Sequence, residues 1–207
     1  MSADKVIVLE CKDYNLELIK EKIKAALKTL GGLEKFITQE DKVLLKPNLL
    51  MAKDPKEAIT THPLVVQAVT ELVIDLGAEV IIGDSPGGPF NKTVMKRLYK
   101  KTGMKEVVDT TAAKLNWDFG KTTKPFATGK ILKNVTIGKF IEEADVIINL
   151  PKFKTHGLTK MTGGVKNMFG AVPGLLKAEY HLNMPEIDNF SDALLDIALA
   201  TKTVLTI

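Results

Sequence analysis

Leu16, Ile19, Ile23, Leu27 and Leu30 recur at steps of three and four, the spacing of one helical face, and Gly31-Gly32 ends the run. Residues 6–9 (VIVL) are an apolar run of strand length, and residues 42–46 (KVLLK) carry an apolar centre between two lysines, closed by Pro47-Asn48. Thr61-His62-Pro63 starts a second helix, with Thr61 as cap and Pro63 in the first turn. Its stripe is Val65, Val69, Leu72 and Leu76, and Gly77 is its stop. Residues 79–83 (EVIIG) form a strand that runs into Asp84-Ser85-Pro86-Gly87-Gly88, and a helix follows over 92–101. Residues 144–150 (ADVIINL) are another buried strand, and Phe190, Ala193, Leu194 and Ile197 mark a further helix. Residues 204–207 end the chain as a strand.

Strands alternating with helices imply a parallel sheet covered on both faces. The fold class expected is α/β, a Rossmann-like open sheet, mostly parallel, in one domain over residues 1–207. Alternating fragments between Gly- and Lys-rich turns place a small irregular or β-rich insertion at 105–140. Residues 151–185 show no helical stripe and are expected to be a long loop.

Composition narrows the function classes. Hydrophobic residues are 45% and charged residues 26%, the balance of a folded domain. Cys11 is the single cysteine, so this chain ligates no iron–sulfur cluster and holds no disulfide framework. Arg97 is the single arginine among 29 basic residues. Base readout relies on arginine, so nucleic acid is not an expected partner. No apolar run reaches membrane-spanning length, and the start, with Asp4, lacks a signal-peptide pattern. A cytoplasmic, prokaryotic-like protein with no membrane partner is expected.

The net charge of +4 matters for where it sits. Residues 151–181 contain five lysines and one acid, a surplus equal to that of the whole chain, so the remainder balances. In open α/β sheets, ligands bind beyond the carboxyl ends of strands. Three polar loops fall there. The first offers Lys46 and Asn48. The second offers Asp84, Ser85, Gly87 and Gly88, with glycines that admit an anion to backbone N–H groups. The third offers Lys152, Lys154, Gly163, Gly164 and Asn167, together with His156, Lys166 and His181. A lysine here acts as a point charge for an anion, or as a nucleophile when desolvation lowers its pKa. His156, Lys166 and His181 are the candidate catalytic groups, and His156 or His181 the candidate metal ligands. Their spacing matches no preformed metal motif. His62 reads as a helix cap, and Met161, Met168 and Phe169 as lid or core.

The blocks KPNLL (46–50), THPLVVQAV (61–69), GDSPGG (83–88) and INLPKFKTHGLTKMTGGVKNMFG (148–170), followed by His181, together resemble the domain-of-unknown-function 362 family. The likeness runs from about residue 42 to 181. It implies association with ferredoxin-like modules, as a fused domain or a partner protein, and a C-terminus shortened relative to the family. His156, Gly163-Gly164-Val165-Lys166, Pro173-Gly174 and His181 also resemble, more remotely, the nickel-pincer lactate racemase family. There the lysine carries the cofactor and the histidines bind nickel and move protons. Two departures stand out: Pro-Gly lies farther from the lysine, and the histidine expected after the third strand is replaced by Asp84-Ser85-Pro86. The expected function is binding of a small carboxylate or phosphate, with Lys/His acid–base chemistry or a lysine-anchored cofactor. The alternative is a non-catalytic module of iron–sulfur electron-transfer proteins.

Overall fold

A computed structural model describes residues 5–207. The reading of the first residues, Asp4 included, lies outside the described residues.

The chain enters α1 (Leu16–Leu30), capped by the Asn15 side chain on the Leu18 N–H and stopped by Gly31 at φ 104°, a left-handed conformation suited to glycine. Then come β1 (Lys42–Pro47), α2 (Pro63–Ile74), β2 (Glu79–Ile82) and α3 (Lys92–Lys101). A short helix α4 (Met104–Thr110) leads to β3 (Lys114–Leu115). The hairpin β4 (Lys121–Pro125) and β5 (Asn134–Gly138) precedes α5 (Lys139–Glu142) and β6 (Val146–Leu150). A second hairpin, β7 (Lys154–His156) and β8 (Lys160–Thr162), precedes α6 (Gly164–Asn167), α7 (Leu176–Asn183), α8 (Ile187–Ala200) and β9 (Leu205–Thr206).

The main sheet has five strands in the order β3-β2-β1-β6-β9, and every pairing in it is parallel. Alternation along β1 sorts its side chains to two faces. Val43 and Leu45 join a core with α1, α2, α3 and α4, through residues such as Ile23, Val69, Leu98 and Val107. Leu44 joins the other core, with Ile147, Val135, Ile137, Phe140, Phe190 and Ile197, beneath β5, α5 and α8. Both faces are therefore covered, as the apolar strands required.

Four expectations are corrected. Residues 6–9 form no strand, and Val6 and Val8 are 85% and 87% exposed; an apolar run becomes a strand only where a neighbour accepts its backbone bonds. Thr61 does not cap α2. His62 does, its Nδ1 accepting from the Leu64 N–H, while the Thr61 hydroxyl donates to the Leu150 carbonyl at 2.6 Å. The small β-rich insertion expected at 105–140 is present but narrower, confined to the β4–β5 hairpin, since α4 and β3 belong to the main layers. Residues 151–185 are not a bare loop, since they hold the β7–β8 hairpin, α6 and α7.

β1 is central. The chain moves outward to β2 and β3 on one side and returns to β6 and β9 on the other. The order reverses between β1 and β6, so a crevice opens at their carboxyl ends, where open α/β sheets bind ligands. Lys46 and Asn149 are register partners at that point.

Candidate functional site

The base of the crevice is a closed polar network. Lys46 is fully buried, and its Nζ lies 2.7 Å from Asp84 Oδ1 and donates to the Asn167 carbonyl at 2.6 Å. The approach to Oδ1 is ionic rather than a well-directed hydrogen bond, and that oxygen has no other partner. The second carboxylate oxygen of Asp84 accepts from the Leu49 N–H at 2.8 Å. Burial lowers the Lys46 pKa, and Asp84 opposes that shift.

Asn167 holds the turn after β8 to the sheet. Its Nδ2 donates to the Lys46 carbonyl at 3.1 Å and to Asn149 Oδ1 at 2.7 Å. Its Oδ1 accepts from Asn48 Nδ2 at 2.9 Å, so every polar group of the amide is engaged. Gly170 passes over the ion pair so closely that a Cβ there would sit 2.1 Å from Asp84 Oδ1. Gly164 has less need of its missing side chain, since a Cβ would meet Thr206 Cγ2 at 3.2 Å; at Gly163 the nearest atom would be 3.8 Å away.

A second knot fixes the loop after β2. The Lys177 ammonium, buried on α7, donates to the carbonyls of Ser85, Pro86 and Val172 at 2.9, 3.1 and 2.6 Å, and shares Ser85 Oγ at 3.1 Å. Ser85 Oγ accepts from the Gly174 N–H at 2.7 Å. Burial pushes the Lys177 pKa down to about 7, against the pull of Asp84. Neutral Lys177 would offer two N–H groups to these four oxygens. Gly87 and Gly88 lie beyond this knot, with open space at their Cα atoms and no positive φ.

Above the network is a layer of cations. Lys154 Nζ donates to Asn48 Oδ1 at 2.9 Å and to the Ile59 carbonyl. Lys166 Nζ lies 5.6 Å from the Phe169 ring centre, and the His181 ring meets the same Phe169 edge-on at 5.8 Å while stacking on Phe190. Burial lowers the pKa of Lys166, and the charge of Lys154 adds to the effect. Burial likewise lowers His156, helped by Lys166, His181 and Lys154 in turn. His181 shifts the same way through burial and then Lys166. These four residues thus share one electrostatic neighbourhood. Asp84 alone among carboxylates acts on any of them, through Lys154, and Asp84 is already tied to Lys46 and Leu49.

His156 has a defined tautomer. Its Nδ1 accepts from the N–H groups of Leu158 and Thr159, both at 3.2 Å. The neutral ring therefore carries its proton on Nε2 and presents a donor. A metal bound at Nε2 would need a proton on Nδ1, facing those two N–H groups. The described residues also contain no group of three His, Cys, Asp or Glu suited to a metal. At His156 this arrangement does not fit a metal ion.

Lys152 is drawn elsewhere. Its Nζ donates to Tyr14 Oη at 3.3 Å, and Tyr14 stacks on His62 at 3.7 Å. Met168 and Phe169 are core, whereas Met161 is exposed. Sequence reasoning passed over Asn149 and Lys177. A lone Asn inside the apolar run 146–150 was the available signal for the first. Nothing local marks the second, which counted only as one more lysine. Two cavities, of about 550 and 1120 Å³, lie on the α1 side, the larger lined by Val6, Leu9, Ile23 and Leu205. The cation layer is part of neither.

Comparison with known proteins agrees with this architecture. A protein from Thermotoga maritima superposes with a TM-score of 0.52 at 15% identity, covering 93% of this chain and 50% of that one. The lactate racemase apoprotein of Thermoanaerobacterium thermosaccharolyticum gives 0.56 at 14% identity, covering 89% and 47%. At such identities the likeness is one of fold. In sequence, a thylakoid-associated protein of Synechocystis sp. is 32% identical over 204 residues, 98% of this chain and 61% of that protein's length. The chain thus spans less than two thirds of this relative. Residues 43–207 match the profile of a domain of unknown function, DUF362, over most of the chain's length, and the protein belongs to that family.

Proposed function

We propose that the carboxyl ends of β1, β2 and β6 form a binding site for a small anion, a carboxylate or phosphate. One arrangement carries the reading: Lys154, bonded to Asn48 and Ile59, and Lys166 and His181, both against Phe169, stand with His156 at the strand ends, and the carboxylate that acts there, Asp84, is already tied to Lys46 and Leu49. Burial is the main cause of each group's lowered proton affinity, and the neighbouring positive charges add to it; a bound anion would relieve that added part. Asn167 and Asn48 set the floor, Lys154 and Lys166 supply charge, and His156 Nε2–H supplies a directed donor. Lys166, half-buried and with its pKa lowered by burial, is the group suited to act as a nucleophile or to anchor a cofactor. A cytoplasmic setting remains part of this proposal.

Calorimetric titration with inorganic phosphate and with acetate at low ionic strength tests it. One of the two binds, and Lys166→Met weakens that binding about tenfold, as expected for a partly desolvated charge-assisted contact. Affinity falls as pH rises toward 10.5, because burial makes Lys154 and Lys166 lose their protons below that ordinary lysine value. If neither anion binds, or if Lys166→Met and Lys154→Met bind as the parent does, the assignment is wrong. Intact mass of natively sourced protein tests the covalent role, since an unmodified Lys166 in active protein excludes an anchored cofactor.

A further inference from the structure

Two buried hydroxyl groups beside Lys154 lack partners. Thr60 and Thr162 are 1% and 3% exposed, and neither Oγ1 has a hydrogen-bond partner among the described residues. A hydroxyl buried without a partner costs stability, so each calls for an explanation. The fold brings both to the same ammonium. Thr162 stands directly across the β7–β8 ladder from Lys154, and such partners share a face with Cβ atoms about 5 Å apart. Thr60 follows Ile59, whose carbonyl accepts from Lys154 Nζ.

Lys154 itself has capacity to spare. An ammonium carries three N–H groups. Among the described residues it donates to Asn48 Oδ1 and to the Ile59 carbonyl, which leaves one N–H to meet an acceptor. His156, two residues on, lies on the same face of the hairpin and offers Nε2–H. Lys166 on α6 adds a second ammonium, set against the Phe169 ring. All five groups donate, and Asp84, the carboxylate that acts on Lys154, is tied to Lys46 and Leu49.

Such a donor set discriminates between anions. A carboxylate offers two oxygens in one plane. A phosphate group offers at least three, arranged in a tetrahedron, with up to about two negative charges. The donors here come from three separate segments, the loop before α2, the hairpin and α6, and a tetrahedral anion engages them together more fully than a planar one does. The ammonium groups supply charge, and the uncharged hydroxyls supply direction.

We propose that Thr60 and Thr162, with the remaining N–H of Lys154, form the oxygen-binding subsite for a phosphate group, free or as a monoester, seated beneath the β7–β8 hairpin. The inference rests on the anion site proposed above and adds which anion it takes and which uncharged residues select it. Both hydroxyls are closed to solvent, so the hairpin moves aside as the ligand enters and closes over it.

Calorimetric titration at low ionic strength tests this, with inorganic phosphate, methyl phosphate and acetate as probes. Inorganic phosphate binds at least about tenfold more tightly than acetate. A Thr60→Val, Thr162→Val double variant keeps its urea midpoint, because it gives up hydroxyls that make no bond, yet loses about tenfold or more in phosphate affinity. The corresponding Ser, Ser variant binds as the parent does. Saturating phosphate slows amide exchange across residues 154–162. Methyl phosphate binding beside inorganic phosphate assigns the subsite to a monoester, and inorganic phosphate binding alone assigns it to the free ion. Acetate binding as tightly as phosphate, unchanged exchange in the hairpin, or undiminished phosphate binding by the Val variant, which would leave the hydroxyls to ordered water, overturns this inference and leaves the anion site standing. Binding of none of the probes overturns both.

Discussion

The molecule carries two small antiparallel hairpins, and they use their apolar residues in opposite ways. In β4–β5, Val135 and Ile137 are fully buried against Phe140 and Ile147. Its connecting turn is clamped by Asp196, which accepts from the N–H groups of Lys130, Ile131 and Leu132 at 2.8, 2.7 and 2.8 Å. Burial pushes the Asp196 pKa up, yet those three bonds and Lys133 bring it below the usual carboxylate value. In β7–β8 the apolar Met161 faces solvent, while Lys154 and Thr162 face the protein. The first hairpin lies over a face of the main sheet. The second projects past the carboxyl ends of the strands, where its inward neighbours are Asn48 and the cation layer. One packs to stabilise the fold, and the other is held by polar contacts and leaves its apolar side available.

Substitutions sharpen this contrast. Asp196→Ala orphans three N–H groups of the packed hairpin and lowers unfolding free energy by about 4 kcal/mol, read from urea denaturation. Ile137→Ala leaves a core cavity and costs about 3 kcal/mol by the same measurement. An intermediate effect comes from pH. Lys46, Lys154, Lys166 and Lys177 all have lowered pKa values, whereas Lys130, by the packed hairpin, is raised by its contact with Asp192. A lysine lowered in the fold binds fewer protons than the unfolded chain between its folded value and 10.5. Stability therefore rises with pH across that interval, which for Lys177 begins at about 7. Urea midpoints at pH 7 and 9.5 should increase for the parent and increase less for Lys177→Met, despite the lower stability of that variant. The smallest change is Met161→Ala. It alters the unfolding free energy by less than about 0.5 kcal/mol, and a loss comparable to Ile137→Ala would show that the second hairpin is packed after all.

Periodicity showed the core strands and helices well, because Leu27, Val69 and Ile148 are apolar for one reason, burial in a layer. It failed at residues 6–9, where apolar character has no strand neighbour to act on, and at α4, whose seven residues are too few to display a stripe. Lys46, Asp84, Lys154 and Asn167 stood out in the loops as candidates because charged or amide groups at strand ends are unusual. The loops did not show which of these would be spent on one another. Lys46 and Asp84 neutralise each other beneath the surface, while Lys166 and His156 remain in front, and that division depends on distances between segments far apart in sequence, up to 121 residues for Lys46 and Asn167.

The binding of Asn167 to Lys46, side chain to carbonyl and carbonyl to side chain, has a consequence for motion. Together with Leu49 N–H on Asp84, Ser85 N–H on the Gly170 carbonyl and Gly174 N–H on Ser85, it joins three connecting segments into one cooperative unit with the sheet. Amide hydrogens at 49, 85 and 174 would then exchange with solvent as slowly as those of β1. The irregular floor of the crevice would open only when the domain itself unfolds, while the hairpin above it exchanges freely.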